Sequence, residues 1–509
     1  MTRGGEKRDM ADTTPTGDDY RITITKSEKY RVAQDGNPDN ILGRAAGCRR
    51  LMYNRMLNAT KAGINKKGKY TWYIPNYPTF LDKENEDEAY LFDVPKQVYA
   101  QAFVDLQRAH QNHANNPGHY GTPKHASKNR KESFRLCNTG IREKQPEGDI
   151  RWLDSSHLRI PKIGAVHVIR HRNPPAGAII KNVTFSMSSS GKWFVIVCYS
   201  YEISGITPAP ITKNLKGIGL DYSSPHLLID DKGRTADQLI IELASAAHDG
   251  NLDGTPRYKH WYRENEALIA RRARELARKR NSLASKDGAP VQSKNYWRAK
   301  ATLARRQEEV ANRRRDFLEK LSTLIADAYD YVCIEHLSMK QIARRSKGRG
   351  GYKLGKSTCD NGWCSFVAML RRKLMERGKY LVRVSKFFPS TQLCHECGHR
   401  FRGSDKLELS DRVYACPECG CVVDRDVNAA CNILTEGTRI LFSQASHGLA
   451  LPGLVWDEQE LEPEQTKSGS VTLDFVSFIG ESVASRPSWL NGRSSSSSSD
   501  DGVPVEPVS

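Results

Sequence analysis

The chain has 509 residues, a formal net charge of +19 and a pI of about 9.3. This length exceeds a single compact core and predicts two to four domains. The excess of cations favours a polyanionic partner over an acidic protein or a small metabolite, so nucleic acid is the leading class of ligand. The sequence has no apolar run long enough to cross a bilayer and no signal peptide, which predicts a cytosolic protein without a membrane partner.

Both ends of the chain differ from its body. Residues 1–18 are polar, and residues 437–509 end in an acidic, serine-rich segment, so we expect a disordered leader and a disordered tail. Residues 436–509 contain eleven acids and four bases, a net of −7, so residues 1–435 carry about +26. The tail is therefore expected to be dispensable for the activity of the basic body.

Strand-like alternation predicts a β-barrel or small sheet formed by two separated segments, residues 19–44 and 157–207. Residues 45–156 have the apolar spacing of helices and predict a helical lobe inserted between them. The segment PAPITKNLK, residues 208–216, predicts a linker.

After the linker, strands and helices alternate, which is typical of an α/β domain. Two strands surround a tight bend in KGIGLDYSSPHLLIDDKG, and two long charged helices follow. The strand DYVCIEHL, the helix GWCSFVAMLRRKLMERG and the strand YLVRVSKF come next. An apolar stripe with seven-residue spacing predicts that the second long helix packs on the first. The stripe consists of Leu303, Val310, Phe317 and Leu324, with Leu321 and Ala328 nearby.

The long helices carry arginines and lysines that acids do not balance, as expected of side chains that neutralise phosphates. Near the N-terminus, Tyr70, Trp72 and Tyr73 follow lysines and are candidates for stacking on bases. Two simpler alternatives stay open, namely solvated helix faces for the cations and core packing for the aromatic rings. The helical cations are Arg271, Arg272, Arg274, Arg278, Lys279, Arg280, Arg313, Arg314 and Arg315.

Three acidic residues lie where an apolar strand ends or a helix begins. Asp221 ends the run GIGL, Glu335 ends YVCI, and Asp426 opens the helix DVNAACNIL. Carboxylates gathered from such positions can hold hard Mg²⁺ ions. Two ions about 4 Å apart can activate a water and stabilise the leaving oxygen of a phosphodiester. Any one acid alone is explained more simply as a loop residue or a helix cap, and Asp424 is such a candidate N-cap.

Four cysteines form two C-x2-C pairs separated by eighteen residues: Cys394, Cys397, Cys416 and Cys419. This spacing is typical of a closed tetrahedral site for one structural Zn²⁺, and a glycine follows each pair, as the turn requires. Coincidence is one alternative. The other is that a neighbour replaces one ligand: His395, His399 or Cys421.

Residues 350–357, GGYKLGKS, match the phosphate-binding pattern G-x4-G-K-S. A working loop of this kind needs a buried strand before it and a helix after it, and neither is predicted here. We therefore expect a flexible basic loop near the acids rather than a nucleotide site.

The order IGLDYS, VCIEHLSMKQIARR, FPSTQLCHECGHR to VYACPECG, and DRDVNAACNIL resembles the TnpB (OrfB) family, transposon-encoded relatives of type V CRISPR effectors. Upstream stretches such as GCRRLMYNRML and VPKQVYAQAFVDLQRAHQNH extend the resemblance over about residues 20–435. Two departures stand out. Tyr222 and Ser223 occupy positions where many members have a glycine soon after the acid, and the segment after residue 436 matches nothing in the family.

The resemblance implies an RNA-guided DNA endonuclease with a RuvC-type site. Asp221, Glu335 and Asp426 would be its Mg²⁺-binding catalytic acids, with Asp424 as the fallback for the third. The implied partners are a guide RNA from the transposon end and double-stranded target DNA with a short flanking motif. The place of action would be the prokaryotic cytosol, at the nucleoid.

The implied fold is mixed α/β and multidomain: an RNase H-like RuvC nuclease domain with an inserted zinc finger, preceded by a β-barrel (wedge) domain interrupted by a helical recognition lobe. The nuclease domain would span residues 217–387 and 424–436, and the finger, which would bind target nucleic acid, residues 388–423. Three other functions stay open: a miniature type V CRISPR effector, a catalytically inactive RNA-guided DNA-binding protein, and a transposase that joins strands. The sequence leaves the oligomeric state open.

Overall fold

The fold is taken from a computed structural model. It describes residues 21–127, 132–142, 146–204, 210–212, 214–281, 293–342, 358, 360–408, 410–446, 455–456 and 473–474. The predicted leader, the loop at 350–357 and most of the predicted tail lie outside the described residues.

An N-terminal module, residues 21–204, combines a large sheet with two helices. Its strands are β1 (Arg21–Val32), β2 (Lys61–Ile64), β3 (Tyr70–Tyr73), β4 (Ser133–Cys137), β5 (Arg151–Trp152), β6 (His157–Ile160), β7 (Gly164–Ile169), β8 (Ile179–Met187) and β9 (Trp193–Ser204). Its helices are α1 (Ile41–Ala59) and α2 (Lys96–Asn115). The sheet order is β4-β8-β9-β1-β7-β6-β5, with antiparallel neighbours, and β2 and β3 form a separate hairpin.

This sheet curls so that its last strand folds back over its middle. The indole N–H of Trp152 donates to the Tyr199 hydroxyl at 3.0 Å, and its ring lies 5.6 Å from that of Tyr30. Backbone pairing between described residues does not join β4 to β5, so it does not close the sheet into the predicted barrel. Because β1 pairs with β9, the two segments predicted to form one β domain do meet in one sheet.

The predicted helical lobe, residues 45–156, also supplies strands. β4 pairs with β8, and β5 pairs with β6. The short segment SFRLC alternates, with Phe134 and Leu136 fully buried, and this period of two favours a strand over a helix. Helices α1 and α2 pack on this strand side of the module and share its apolar core.

A C-terminal module follows the predicted linker. Its strands are β10 (Gly217–Ser223), β11 (Leu227–Asp230), β12 (Tyr331–Glu335), β13 (Tyr380–Val384), β14 (Val413–Ala415), β15 (Val422–Asp424) and β16 (Val455–Trp456). Its helices are α3 (Ala236–Ala247), α4 (Trp261–Asn281), α5 (Lys294–Ala328), α6 (Met339–Ile342), α7 (Trp363–Glu376) and α8 (Arg425–Ser446). Its main sheet has the order β11-β10-β12-β13-β16, in which β11 is antiparallel and the other neighbours are parallel.

The main sheet of this module lies between two helical layers. In β12, Val332 and Ile334 face one core with α3, α4, α5 and α7, whereas Cys333 faces the other core with α8. Both faces are covered, which explains why these strands are continuous apolar runs in the sequence. The predicted pairing of the two long helices is confirmed, since α4 packs on α5, although Ala328 at the end of the stripe is exposed.

The sequence-based boundary at residue 436 is too early. Helix α8 continues to Ser446, where its buried Ile440 and Leu441 complete the core under β13. Val455 and Trp456 then add the fifth strand beside β13. A last short strand, β17 (Leu473–Asp474), pairs in parallel with β1. The predicted acidic tail therefore contributes the end of α8 and the strand β16 to the C-terminal module, and the strand β17 to the N-terminal module.

Candidate active site and metal centre

Two acids lie side by side at one edge of the main sheet. β10 and β12 are parallel neighbours, and Leu220 pairs with Ile334, so the next residues in the two strands are Asp221 and Glu335. Neighbouring strands are about 4.8 Å apart. Asp221 is only 7% exposed, and Glu335 is partly buried.

Helix α8 brings the third acid because two glycines let it lie unusually close to the sheet. A Cβ on Gly219 of β10 would lie 2.2 Å from the carbonyl oxygen of Ala430. A Cβ on Gly437 would lie 2.3 Å from the sulfur of Cys333 in β12. Real side chains do not approach so closely, so neither position has room for alanine unless the helix moves.

The first turn of α8 distinguishes the two aspartates of the segment DRD. The carboxylate of Asp424 accepts the backbone N–H groups of Asp426 at 2.8 Å and Val427 at 3.3 Å, so Asp424 caps the helix. Asp426 is instead partly buried, and its charge acts on Asp221. Asp424 is thus occupied as the helix cap, whereas the charge of Asp426 acts on one of the two strand acids.

Burial raises the proton affinity of all three carboxyl groups in the absence of a cation, and for Asp221 the charges of the other two acids add to the effect. Burial, followed by the negative charges of Asp426 and Glu335, raises the pKa of Asp221 well above its ordinary value. Burial raises the pKa of Glu335 to about 7. Burial also raises the pKa of Asp426, and the positive charge of the Arg425 guanidinium offsets part of that rise. Buried carboxylates that repel one another are the electrostatic setting in which a divalent cation is bound most favourably.

The four predicted zinc ligands converge. The sulfurs of Cys394 and Cys419 are 3.7 Å apart and those of Cys397 and Cys416 are 3.6 Å apart, and all four lie within 4.8 Å of one another. Four sulfurs about 2.3 Å from a central Zn²⁺ would be separated by about 3.8 Å in a regular tetrahedron. Among the described residues, these cysteines are the only group of His, Cys, Asp or Glu that already has its ligand atoms close enough to hold a metal, and Cys421 is not part of it.

The backbone of the finger has the turns that such a site requires. Gly398 and Gly420 have φ values of +76° and +72°, the left-handed region that favours glycine. Their N–H groups bond back to the carbonyls of Cys394 and Cys416, each at 3.0 Å. The glycine that follows each cysteine pair in the sequence is therefore explained.

Two asparagines fix the finger to the helix that carries Asp426. The Asn428 amide donates to the Leu393 carbonyl at 2.7 Å and accepts the backbone N–H of His395 at 3.0 Å. One turn later, the Asn432 amide donates to the carbonyls of Ser390 and Leu393. Both asparagines are almost fully buried. Side-chain hydrogen bonds therefore join the four-cysteine segment to the first two turns of α8.

One family model and several known proteins are similar to this chain. A family model described as "Cas12f1-like, TNB domain" matches residues 363–433, which run from α7 through the finger into α8. The chain is 29% identical over 417 residues to a Streptomyces pristinaespiralis protein named "Putative RNA-guided DNA endonuclease", covering 81% of this chain and 90% of that protein. It is 26% identical over 424 residues to "Putative RNA-guided DNA endonuclease InsQ" of Escherichia coli strain K12, covering 81% and 92% of the two chains. A third relative, "TnpB-like protein L79" of Acanthamoeba polyphaga mimivirus, is 27% identical over 130 residues, 26% of this chain and 24% of that protein. The chain is therefore similar over four fifths of its length to proteins named as RNA-guided DNA endonucleases, and over a quarter of its length to a TnpB-like protein.

The basic surface of the two long helices is only partly neutralised by ion pairs. On α4, Glu275 binds Arg272 and Lys279, and on α5, Glu309 binds Arg313. The remaining predicted cations on these helices are mostly exposed, namely Arg271, Arg274, Arg278, Arg280 and Arg315. The described part of the chain contains no helix that is both long and apolar enough to cross a bilayer.

The three aromatic residues near the N-terminus were predicted either to pack in the core or to stack on bases, and their environments differ. Tyr70 and Trp72 stack on His110 of α2, and the Tyr70 hydroxyl bonds its ring at 2.9 Å, so these two rings are used in packing. Tyr73, on the other face of the hairpin, is 64% exposed. Base stacking therefore stays a prediction for Tyr73 alone.

Sequence reasoning missed several residues that shape the site. Gly219 and Gly437 carried a usable signal, because glycine inside a strand or a helix costs stability unless close packing requires it. The start of α3 also carried a signal in the sequence, because Thr235 and Gln238 form a capping box. The buried Asn361 gave no signal, because its role depends on contacts with residues more than a hundred positions away.

Proposed function

We propose that this chain is an RNA-guided DNA endonuclease that hydrolyses target DNA at Asp221, Glu335 and Asp426. One observation carries the proposal: two neighbouring strand ends and the first turn of an overlying helix bring these three acids to one edge of a sheet. The names of the full-length relatives supply the substrate and the guide. We further propose the transposon-encoded form, acting at the nucleoid in a prokaryotic cytosol.

The donor set fits magnesium because it consists of carboxylates, the ligands that hard cations prefer. Two bound Mg²⁺ ions would polarise a water and neutralise charge on the scissile phosphate. The chain's own contribution would be rigidity. Strand pairing supports fixed positions for Asp221 and Glu335, and the close packing of α8 at Gly219 supports a fixed position for the helix that carries Asp426. The proposed nuclease domain is RNase H-like and includes all of α8 and the strand β16.

In this proposal the four cysteines hold one structural Zn²⁺. A closed set of four thiolates leaves no open position for a substrate, so the metal stabilises the finger and does not take part in hydrolysis. The bonds from Asn428 and Asn432 transmit that stability to the first turns of α8, where Asp426 lies. The curled N-terminal sheet and its helices would act as the wedge domain and recognition lobe.

The test is to purify the protein with the RNA that it binds in cells and to sequence that RNA. The guide segment is then replaced, and cleavage of plasmids that match the old or the new guide is measured with Mg²⁺. We expect cleavage to follow the new guide and to disappear in the Glu335→Gln variant. Binding of the matched plasmid without cleavage by the wild type would point to an inactive DNA-binding protein instead, and joined strand products would point to a transposase.

A further inference from the structure

The turn between β10 and β11 lies at the edge of the sheet that carries the acids. Ser223 pairs with Leu227, so residues 224–226 form a three-residue turn that begins three positions after Asp221. His226 is exposed on this turn, and the part of the chain that the structure describes offers its ring no hydrogen-bond partner. The hydrolytic site as described so far makes no use of this imidazole.

The turn has an unusual and fixed conformation. Leu227, which closes it, has a φ of +68° and is fully buried. Three-residue hairpin turns normally have glycine at such a left-handed position. A left-handed conformation is strained for leucine, and it persists only where the surroundings enforce it. Burial of the Leu227 side chain in the core beside α3 and α5 provides that enforcement.

A buried asparagine holds the other side of the turn. The Asn361 side chain is 1% exposed, and its amide donates to the Ser224 carbonyl at 2.8 Å and to the Tyr222 hydroxyl at 3.3 Å. Its oxygen accepts the Tyr258 hydroxyl at 2.8 Å. The turn is therefore tied to the segment that leads into α7.

The turn directly continues the strand that carries Asp221, so His226 lies five positions after that acid, at the same end of β10. His226 is also among the groups whose charge acts on the carboxyl of Asp426. The β10–β11 turn therefore lies at the end of the sheet where the proposed catalytic acids of β10 and β12 are found. An imidazole has at least one N–H donor in either protonation state, and a phosphate oxygen is a strong acceptor for it.

We propose that His226 is a substrate-contacting residue whose imidazole N–H binds a phosphate oxygen of the DNA strand at the carboxylate site, and that Asn361 is the positioning residue that holds its turn. This inference rests on the proposed nuclease function. It assigns a role to the segment in which the chain departs from the family pattern, where Tyr222 also bonds Asn361.

The first test measures single-turnover cleavage of matched DNA, at saturating DNA, by the protein with its RNA. His226→Ala should slow cleavage by about 10- to 100-fold, as expected for the loss of a hydrogen bond to a charged group. His226→Gln keeps an N–H donor and should recover most of the rate. The matched control is His248→Ala, which removes an exposed histidine at the end of α3. Equal rates for His226→Ala and His248→Ala would overturn the proposal.

The second test separates positioning from stability. Asn361→Ala should slow cleavage as much as His226→Ala, and the double variant should be no slower than His226→Ala alone. Tyr258→Phe removes one bond to Asn361 without releasing the turn, so it should lower the melting temperature yet keep the cleavage rate. Additive losses in the double variant would show that Asn361 acts through general stability and would refute its positioning role.

A third measurement remains informative even if guided cleavage fails. Affinity for single-stranded DNA is measured in Glu335→Gln protein, with and without His226→Ala. The proposal expects at least about a threefold weaker affinity without the imidazole, and unchanged affinity for His248→Ala in the same background. Failure of the wild type to cut would refute the proposed function, whereas equal affinities would refute the role of His226.

Discussion

Glu335→Gln is expected to stabilise the magnesium-free protein at neutral and alkaline pH. Burial raises the pKa of Glu335 to about 7, from an ordinary value of 4.5. The folded state therefore binds this proton more tightly than the unfolded state does. The stability that it contributes is complete below about pH 4.5 and is lost as the pH rises through about 7. Glutamine has the same shape but cannot ionise, so the variant escapes that loss.

The size of the effect follows from the two pKa values. The two pKa values differ by about 2.5, and a difference of one corresponds to about 1.4 kcal/mol. Ionisation of Glu335 therefore lowers the free energy of unfolding by at most about 3 kcal/mol above pH 7. For a module of this size, that amounts to several degrees in melting temperature and at most about 10 °C. Below about pH 5, the wild type and the variant should melt within a degree or two of each other.

With Mg²⁺ at high pH, the wild type should melt at a higher temperature than the Glu335→Gln variant. Binding to the folded state alone stabilises a protein by mass action, and the wild type has one more carboxylate for the ion. Thermal melting is measured at about pH 5 and about pH 8, with and without MgCl₂, in buffer without chelator so that zinc is retained. Glu264→Gln, on the exposed face of α4, is the matched control. A pH-independent difference between the wild type and Glu335→Gln, or equal responses to Mg²⁺, would refute a buried metal-binding carboxylate.

Three further predictions concern packing, zinc and the chain after residue 436. Gly219→Ala should abolish cleavage because its Cβ would press on the backbone of α8, whereas Gly63→Ala, which meets nothing within 4 Å, should cleave normally. Cys394→Ser should lower both the zinc content and the melting temperature, whereas Cys421→Ser should keep about one zinc per chain by elemental analysis. Deleting residues 437–509 removes half of α8 and the strand β16, so the truncated protein should fail to fold by circular dichroism, and normal cleavage by it would contradict the present fold.

The sequence predicted the acids because each follows a strong local signal. Asp221 follows an apolar run inside β10, Glu335 ends β12, and Asp426 lies in the first turn of a helix that is buried on one face, so their positions depend mainly on element type. The four predicted zinc ligands could also be found from the sequence, because the spacing of the cysteines alone predicts the two knuckles. The proposed choice between the two aspartates in DRD required the structure, because both lie at the start of α8 and only the hydrogen bonds of Asp424 identify it as the cap.

What the sequence did not reveal depends on contacts between distant segments. β16 is two residues long and has no periodicity, so only its pairing with β13 defines it as a strand. The buried Asn361 is joined to the turn after Asp221 across 137 positions. The strand β4 was hidden because it is only five residues long and ends a basic stretch that follows the helix α2.

The most direct test of the catalytic assignment is the single-turnover rate of guided cleavage for four variants that keep the shape of each side chain. Asp221→Asn, Glu335→Gln and Asp426→Asn should each cut at least about 1,000-fold more slowly than the wild type, equivalent to about 4 kcal/mol of barrier, while still binding the matched target. Asp424→Asn should cut within a few-fold of the wild type, because asparagine is also a good N-cap. Cleavage at the wild-type rate by the first three variants would contradict the assignment, and loss of cleavage in Asp424→Asn alone would transfer the third role to Asp424.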